Sequence, residues 1–124
     1  MSRSSLRTSI IVLGLITALI HLVLLNLGFL RQTGRPDLLF TLNGLGYLGL
    51  LGVFILNPKF LAGQRQAFHY VFIGFAAVTI VAFLAMGGTG FGGRPFNPLG
   101  WLTKADEVLL ILALWQHAKL EAAG

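Results

Sequence analysis

Four polar side chains, His21, Asn43, Thr79 and Asp106, stand inside or at the mouth of long apolar stretches. An ionisable group near the centre of a bilayer costs about 2.5 to 3.5 kcal/mol on insertion scales, so each is a candidate for binding a proton, an ion or a ligand. At about 100° per residue, His21 shares a helical face with Gly14, Thr17, Ala18 and Gly28, a small and polar stripe suited to close helix contact. Asn43 falls with Phe40, Tyr47, Leu50 and Phe54, and Thr79 with Phe72, Phe75, Ala76 and Phe83. If successive helices alternate in direction, the four reach a common depth, about 5 to 14 Å below one surface at 1.5 Å per residue. They would form a polar layer in one leaflet, as an interhelical hydrogen-bond network or as the lining of a small cavity.

The stretch "GWLTKADEVLLILALWQ" holds two of the four acidic residues. Leu102, Ala105, Asp106, Leu109, Ala113 and Gln116 make one stripe, which assigns Asp106 to the interior. Thr103 and Asp106 match the spacing of a capping box, in which a hydroxyl accepts from an early helix amide and the acid reaches back. Glu107 points nearly the opposite way, toward Lys104, and reads as an interfacial ion pair at head-group level with snorkelling stems. On this reading Asp106→Ala destabilises more than Glu107→Ala.

Other chemistry is sparse. His69 and His117 on neighbouring helices could ligate a haem or chlorin, but both are placed at the membrane interface as solvated residues, and no cofactor is expected. The chain has no cysteine, which excludes disulfides, thiolate metal sites and thiol nucleophiles. The segment "GGTGFGGRPFNPLG" lacks the Gly-Lys-Ser/Thr ending of a phosphate loop and reads as a flexible connector, with Phe91, Phe96 and Trp101 as interfacial anchors. No catalytic triad, carboxylate pair or metal-spaced ligand set can be assembled, so neither an enzyme nor a metal site is expected.

The elements that position these residues follow from composition. In 124 residues, 56% are apolar and only 10% charged, against about 25% charged in soluble domains. The net charge of +5 sits at the ends of apolar runs, where it meets phospholipid head groups rather than nucleic acid. Spans of about 20 apolar residues are expected at roughly 9–30, 38–56, 67–86 and 102–118. The breaks "RQTGRPD", "NPKFLAGQRQ" and "GGTGFGGRPFNPLG" carry turn residues. Short connections force neighbours antiparallel, so the expected fold is all-α: a single integral membrane domain, four transmembrane helices in an up-down-up-down bundle. Arg3, Arg7, Lys59, Arg65 and Lys119 lie on the terminal side; Arg31, Arg35, Arg94 and Lys104 lie on the other. That bias places both termini in the cytoplasm of a multi-pass cell-membrane protein.

The stretches "LLFTLNGLGYLGLLGVFIL" and "GWLTKADEVLLILAL", with the histidine of the first span, resemble small uncharacterised prokaryotic four-span membrane proteins. The resemblance implies a four-helix membrane fold and supplies no activity. Small multidrug exporters need a membrane-centre carboxylate in span one, where this chain has His21. Dual-topology fluoride channels combine a glycine-threonine motif and a polar track with paired phenylalanines; Asn43, Thr79 and Phe75 are a loose echo without the motif, and neither family is assigned. The dense glycine and aromatic surface points to an accessory or structural subunit of a larger membrane complex, with the bilayer and a protein partner or a second copy as its contacts. The alternative is a small homo-oligomeric channel or transporter built on the polar layer.

Overall fold

The computed structural model describes residues 2–123 and is all-helical. We number the helices α1 (Arg3–Thr33), α2 (Leu38–Leu56), α3 (Arg65–Met86) and α4 (Pro98–Ala123). The first three are long and apolar enough to cross a membrane.

Each helix starts and stops on identifiable chemistry. The Ser2 hydroxyl accepts from the Ser5 amide, and Gly34, at φ 79°, ends α1 in the left-handed conformation that glycine adopts without cost. Asp37 caps α2 by accepting from the Phe40 amide at 2.8 Å. Asn57, at φ 48°, closes that helix before Pro58, and a short 3-10 turn (Lys59–Leu61) follows. Helix α4 begins five residues before the expected Thr103 box region: Asn97 accepts from the Gly100 amide at 3.2 Å, and Pro98 takes the first position, where its missing N–H is harmless. Thr103 is therefore a helix-interior residue whose hydroxyl donates to the Leu99 carbonyl at 2.7 Å.

Inside α1, residues Ile20–Leu25 form a π-helical segment. A π turn inserts extra residue into the helix and shifts the buried face beyond it. Up to its first turn Gly14, Thr17, Ala18 and His21 are buried; from its last residue onward Leu25 and Asn26 face inward, and Gly28, expected on the His21 stripe, is exposed.

Backbones pack most closely for α4 on α3, α1 on α4, and α1 on α2. Arg3 bonds the Leu120 carbonyl, Arg7 the Ile55 carbonyl, and Phe83 meets Trp101, so each of these helix pairs runs antiparallel. Helices α2 and α3 meet through rings: Tyr47 stands edge-on to Phe75 at 4.9 Å between centroids, and Phe54 edge-on to His69 at 5.7 Å. A core of Leu6, Ile10, Leu51, Phe72, Leu110 and Leu114 fills the centre. The "GGTGFGG" segment folds back on the start of α4: Thr89 bridges Phe96, and the Trp101 indole donates to the Thr89 carbonyl.

Candidate functional site

Glu107 is 0% exposed and collects a side chain from each of the other three helices. Thr17 of α1 donates its hydroxyl to Glu107 Oε2 at 3.2 Å, Thr79 of α3 donates at 2.7 Å, and the Tyr47 hydroxyl of α2 donates to the same oxygen. Oε1 lies 2.5 Å from Lys104 Nζ, one turn earlier on α4. Lys104 is itself buried, with Nζ 3.5 Å from the Thr79 carbonyl and 5.6 Å from the centre of the Phe83 ring. A carboxylate withdrawn from water is tolerated only when paired and hydrogen-bonded, and this one has both kinds of partner.

This corrects the face assigned to α4. Glu107 and Lys104 do form an ion pair, but buried inside the helix assembly instead of on its outer surface. Leu102 and Leu109, expected inside with Asp106, are 59% and 55% exposed, and Ala105 and Gln116 are exposed too. The buried face is Thr103, Lys104, Glu107, Leu110, Leu114, His117 and Ala118. Asp106 lies at the edge of that face, buried but two turns from the N-terminus, so it caps nothing. Its Oδ2 has no hydrogen-bond partner.

His21 joins the node through Thr17. Its Nδ1 lies 2.9 Å from the Thr17 carbonyl, which fixes Nδ1 as the protonated nitrogen and a donor, and 3.3 Å from the Thr17 hydroxyl. The hydroxyl that donates to Glu107 is therefore also within reach of the imidazole.

Above this node opens a cleft of about 690 Å³. His21, Asn43, Thr79 and Lys104 line it, with Phe29, Phe40, Phe83 and Phe96 among its apolar walls. Of the four residues expected in a polar layer, the structure brings His21 and Thr79 to Glu107 and sets Asn43 with them on the cleft surface. Asn43 Oδ1 is buried without a partner, and Asp106 stands outside the cleft lining. Sequence reasoning missed Asn26, which accepts from the Asp37 amide at 2.8 Å and donates to the Thr41 hydroxyl at 3.0 Å, fastening α1 to α2 beside the cleft.

A second cluster lies at the end that holds both termini. His69 and His117, expected to be solvated, are 3% and 4% exposed. Their rings stack at 4.9 Å, His69 Nε2 lies 2.8 Å from His117 Nδ1, and Phe54 stands edge-on to both. His69 Nδ1 donates to the Arg65 carbonyl at 2.6 Å, and the Glu121 carboxylate lies 3.9 Å from His117 Nδ1. Both helices continue past these rings, to Arg65 and Ala123, which is why the pair lies inside. Among the described residues no group of three or more His, Cys, Asp or Glu side chains could hold a metal ion.

Fold and site together define an all-helical protein with three membrane-competent helices and a buried charged pair beneath a cleft. Residues 1–116 match a family of unknown function, DUF7475, and the chain belongs to that family. No curated protein and no solved structure matches the chain.

Proposed function

We propose that the chain is a four-span integral membrane protein, an up-down-up-down bundle that holds a small solute in the cleft above Lys104 and Glu107 and passes it on as a channel or carrier. The observation that carries this reading is the charged pair itself: an ammonium on the wall of an open cleft, neutralised by a fully buried carboxylate that every other helix contacts. Buried ionisable groups among apolar helices mark substrate and ion pathways.

The fourth span is supported by the distribution of polarity on α4. Average hydropathy is lowered by Lys104, Asp106 and Glu107, all of which are buried. The face turned outward is Leu102, Val108, Leu109, Leu112 and Trp115, an apolar surface fit for lipid. Burial of Lys104 also removes it from the flanking charges, leaving five basic residues on the terminal side against Arg31, Arg35 and Arg94 on the other. This favours both termini in the cytoplasm of a cell-membrane protein.

Flux of radiolabelled carboxylates, amines, sugars and inorganic ions into proteoliposomes tests the reading. Uptake above empty vesicles that Lys104→Met abolishes is the expected result; no uptake of any of these solutes overturns it.

A second reading, an accessory subunit, is favoured by Gly49 and Gly74. Both are exposed on the outer surface, and a Cβ added at either would meet nothing within 4 Å. Small residues let a partner helix approach closely. Co-purification of a stoichiometric partner after mild solubilisation, lost in Gly49→Leu, is its expected signature.

A further inference from the structure

We propose that the cleft takes a small organic carboxylate together with one proton, the carboxylate replacing Glu107 as the partner of Lys104 while the proton reaches Glu107 through His21 and Thr17. This rests on the cleft being a solute site, as argued above, and assigns the solute's class and its coupling.

Lys104 is the one ammonium or guanidinium among the residues lining the cleft, and it already faces the Glu107 carboxylate; the lining's own carboxyl group, Asp37, is engaged in capping α2 through the Phe40 amide. An anion that enters and contacts Nζ places two carboxylates against one ammonium in a poorly hydrated site, an arrangement in which one acid must be protonated. Exchange of partners keeps the charge balance: Lys104 ammonium with Glu107 carboxylate, plus RCOO⁻ and H⁺, gives Lys104 ammonium with RCOO⁻, plus the Glu107 carboxylic acid. Apart from the N–H and O–H bonds exchanged in passing the proton, no covalent bond is made or broken, and the set of Lys104, Glu107 and solute stays neutral. The aromatic and aliphatic walls favour an acid with an apolar body.

The proton has a path. His21 lines the cleft and takes the proton at Nε2. Its Nδ1–H is directed at the Thr17 carbonyl and lies 3.3 Å from the Thr17 hydroxyl, which in turn is 3.2 Å from Glu107 Oε2. His21 passes the Nδ1 proton to Thr17 Oγ1, and Thr17 passes its own to Glu107. The ring is left as its other tautomer and is restored when Glu107 releases its proton by the reverse path. The groups facing Glu107 are Thr17 and His21 from α1, Tyr47 from α2, Thr79 from α3, and Lys104 and the neighbouring Asp106 on α4. Of these, His21, Thr79 and Lys104 line the cleft, and His21 alone among them is an imidazole that can accept and release a proton at separate atoms.

Isothermal titration of the full chain in nanodiscs with benzoate, in two buffers of different protonation enthalpy, tests the proposal. Wild type should take up about one proton per benzoate bound, as linkage requires. Glu107→Gln should bind benzoate with no proton uptake, and Asp106→Asn should retain the uptake. Lys104→Met should lose binding; should it fail to fold, Lys104→Met/Glu107→Gln, which removes both charges, should fold and bind none. In stopped flow with a pH dye, His21→Gln should keep the stoichiometry and slow the uptake by about tenfold or more. Benzoate binding without proton uptake, uptake that persists in Glu107→Gln or vanishes in Asp106→Asn, or unslowed uptake in His21→Gln overturns the coupling. Binding of benzylammonium in place of benzoate overturns the solute class while leaving the cleft a solute site.

Discussion

At the end holding the termini, His69 and His117 face each other beside a cavity of about 30 Å³, and Arg3, Arg7 and Arg65 lie on the Leu120 carbonyl, the Ile55 carbonyl and Asn57 Oδ1. At the other end, Lys104 and Glu107 lie beneath a cleft of about 690 Å³. Both ends are polar inside, yet one is filled and the other open. The histidines bond each other and the Arg65 carbonyl, with the Phe54 ring edge-on to both. The charged pair carries a lysine that borders open space, where an incoming group can compete for it. A polar interior by itself does not mark a ligand site; the proposed one rests on open space next to the charged pair.

The largest contrast between the ends should be in access. The chain has no cysteine, so single replacements report cleanly. Asn43→Cys on the cleft should react rapidly with a membrane-impermeant thiol reagent, and Val53→Cys beside the histidine cavity should resist it. Equal rates at the two positions would erase the distinction between open and filled ends.

Stability should separate them next. Glu107→Ala leaves a buried ammonium unpaired and takes an acceptor from the Thr17, Tyr47 and Thr79 hydroxyls, of which Thr79 keeps the Ala76 carbonyl, and costs about 3 to 5 kcal/mol. Asp106→Ala removes an acid with an unpartnered oxygen and should cost less, the reverse of the order that a capping role implies. Thermal unfolding of the detergent-solubilised variants checks this, and a larger loss at Asp106 would place the node on the wrong acid. At the filled end His117→Leu takes one hydrogen bond from His69 while keeping an apolar filling, a loss of about 1 to 3 kcal/mol with unchanged labelling at Asn43→Cys.

The smallest effects concern the glycines of α2. A Cβ at Gly46 would collide with the Phe75 ring, so Gly46→Ala should cost about 1 to 3 kcal/mol. Gly49→Ala meets open space and should gain about 0.5 to 1 kcal/mol from helix propensity. The same melting curves check both, and a stabilised Gly46→Ala would mean that α2 and α3 approach less closely than their rings indicate.

The helices themselves were legible because apolar runs of span length, broken by Gly, Pro and Asn, leave few alternatives. Tyr47, Phe72, Ala76 and Thr79 fall on the expected inward faces for the same reason. The rotation of α4 was not read correctly, because one acid was assigned to a cap and the other to the interface by habits learned from water-soluble helices. A signal was present: Leu102, Leu109, Leu112 and Trp115 form an apolar face, which on the proposed four-span reading turns to lipid and leaves Lys104 and Glu107 inside. The histidine pair was hidden by its place near the ends of the apolar runs, since nothing in the sequence says that helices α3 and α4 extend beyond them. Gly28 was misplaced, and Asn26 missed, through a change of helical period that no hydrophobic pattern announced.

That change of period makes α1 a helix that keeps two clocks. Residues up to His21 count toward the buried node in one phase; residues from Leu25 onward count toward the rim of the cleft in another. Removing one residue, Val23 for instance, would set both halves to the same time. Thr17 and His21 would stay where they are, while Leu25 and Asn26 would swing by about 100°, pulling Asn26 away from the Asp37 amide and the Thr41 hydroxyl. The spacing between the node and the rim is thus an integer written into the chain, and a deletion that no hydropathy profile would register would separate the floor of the cleft from its wall.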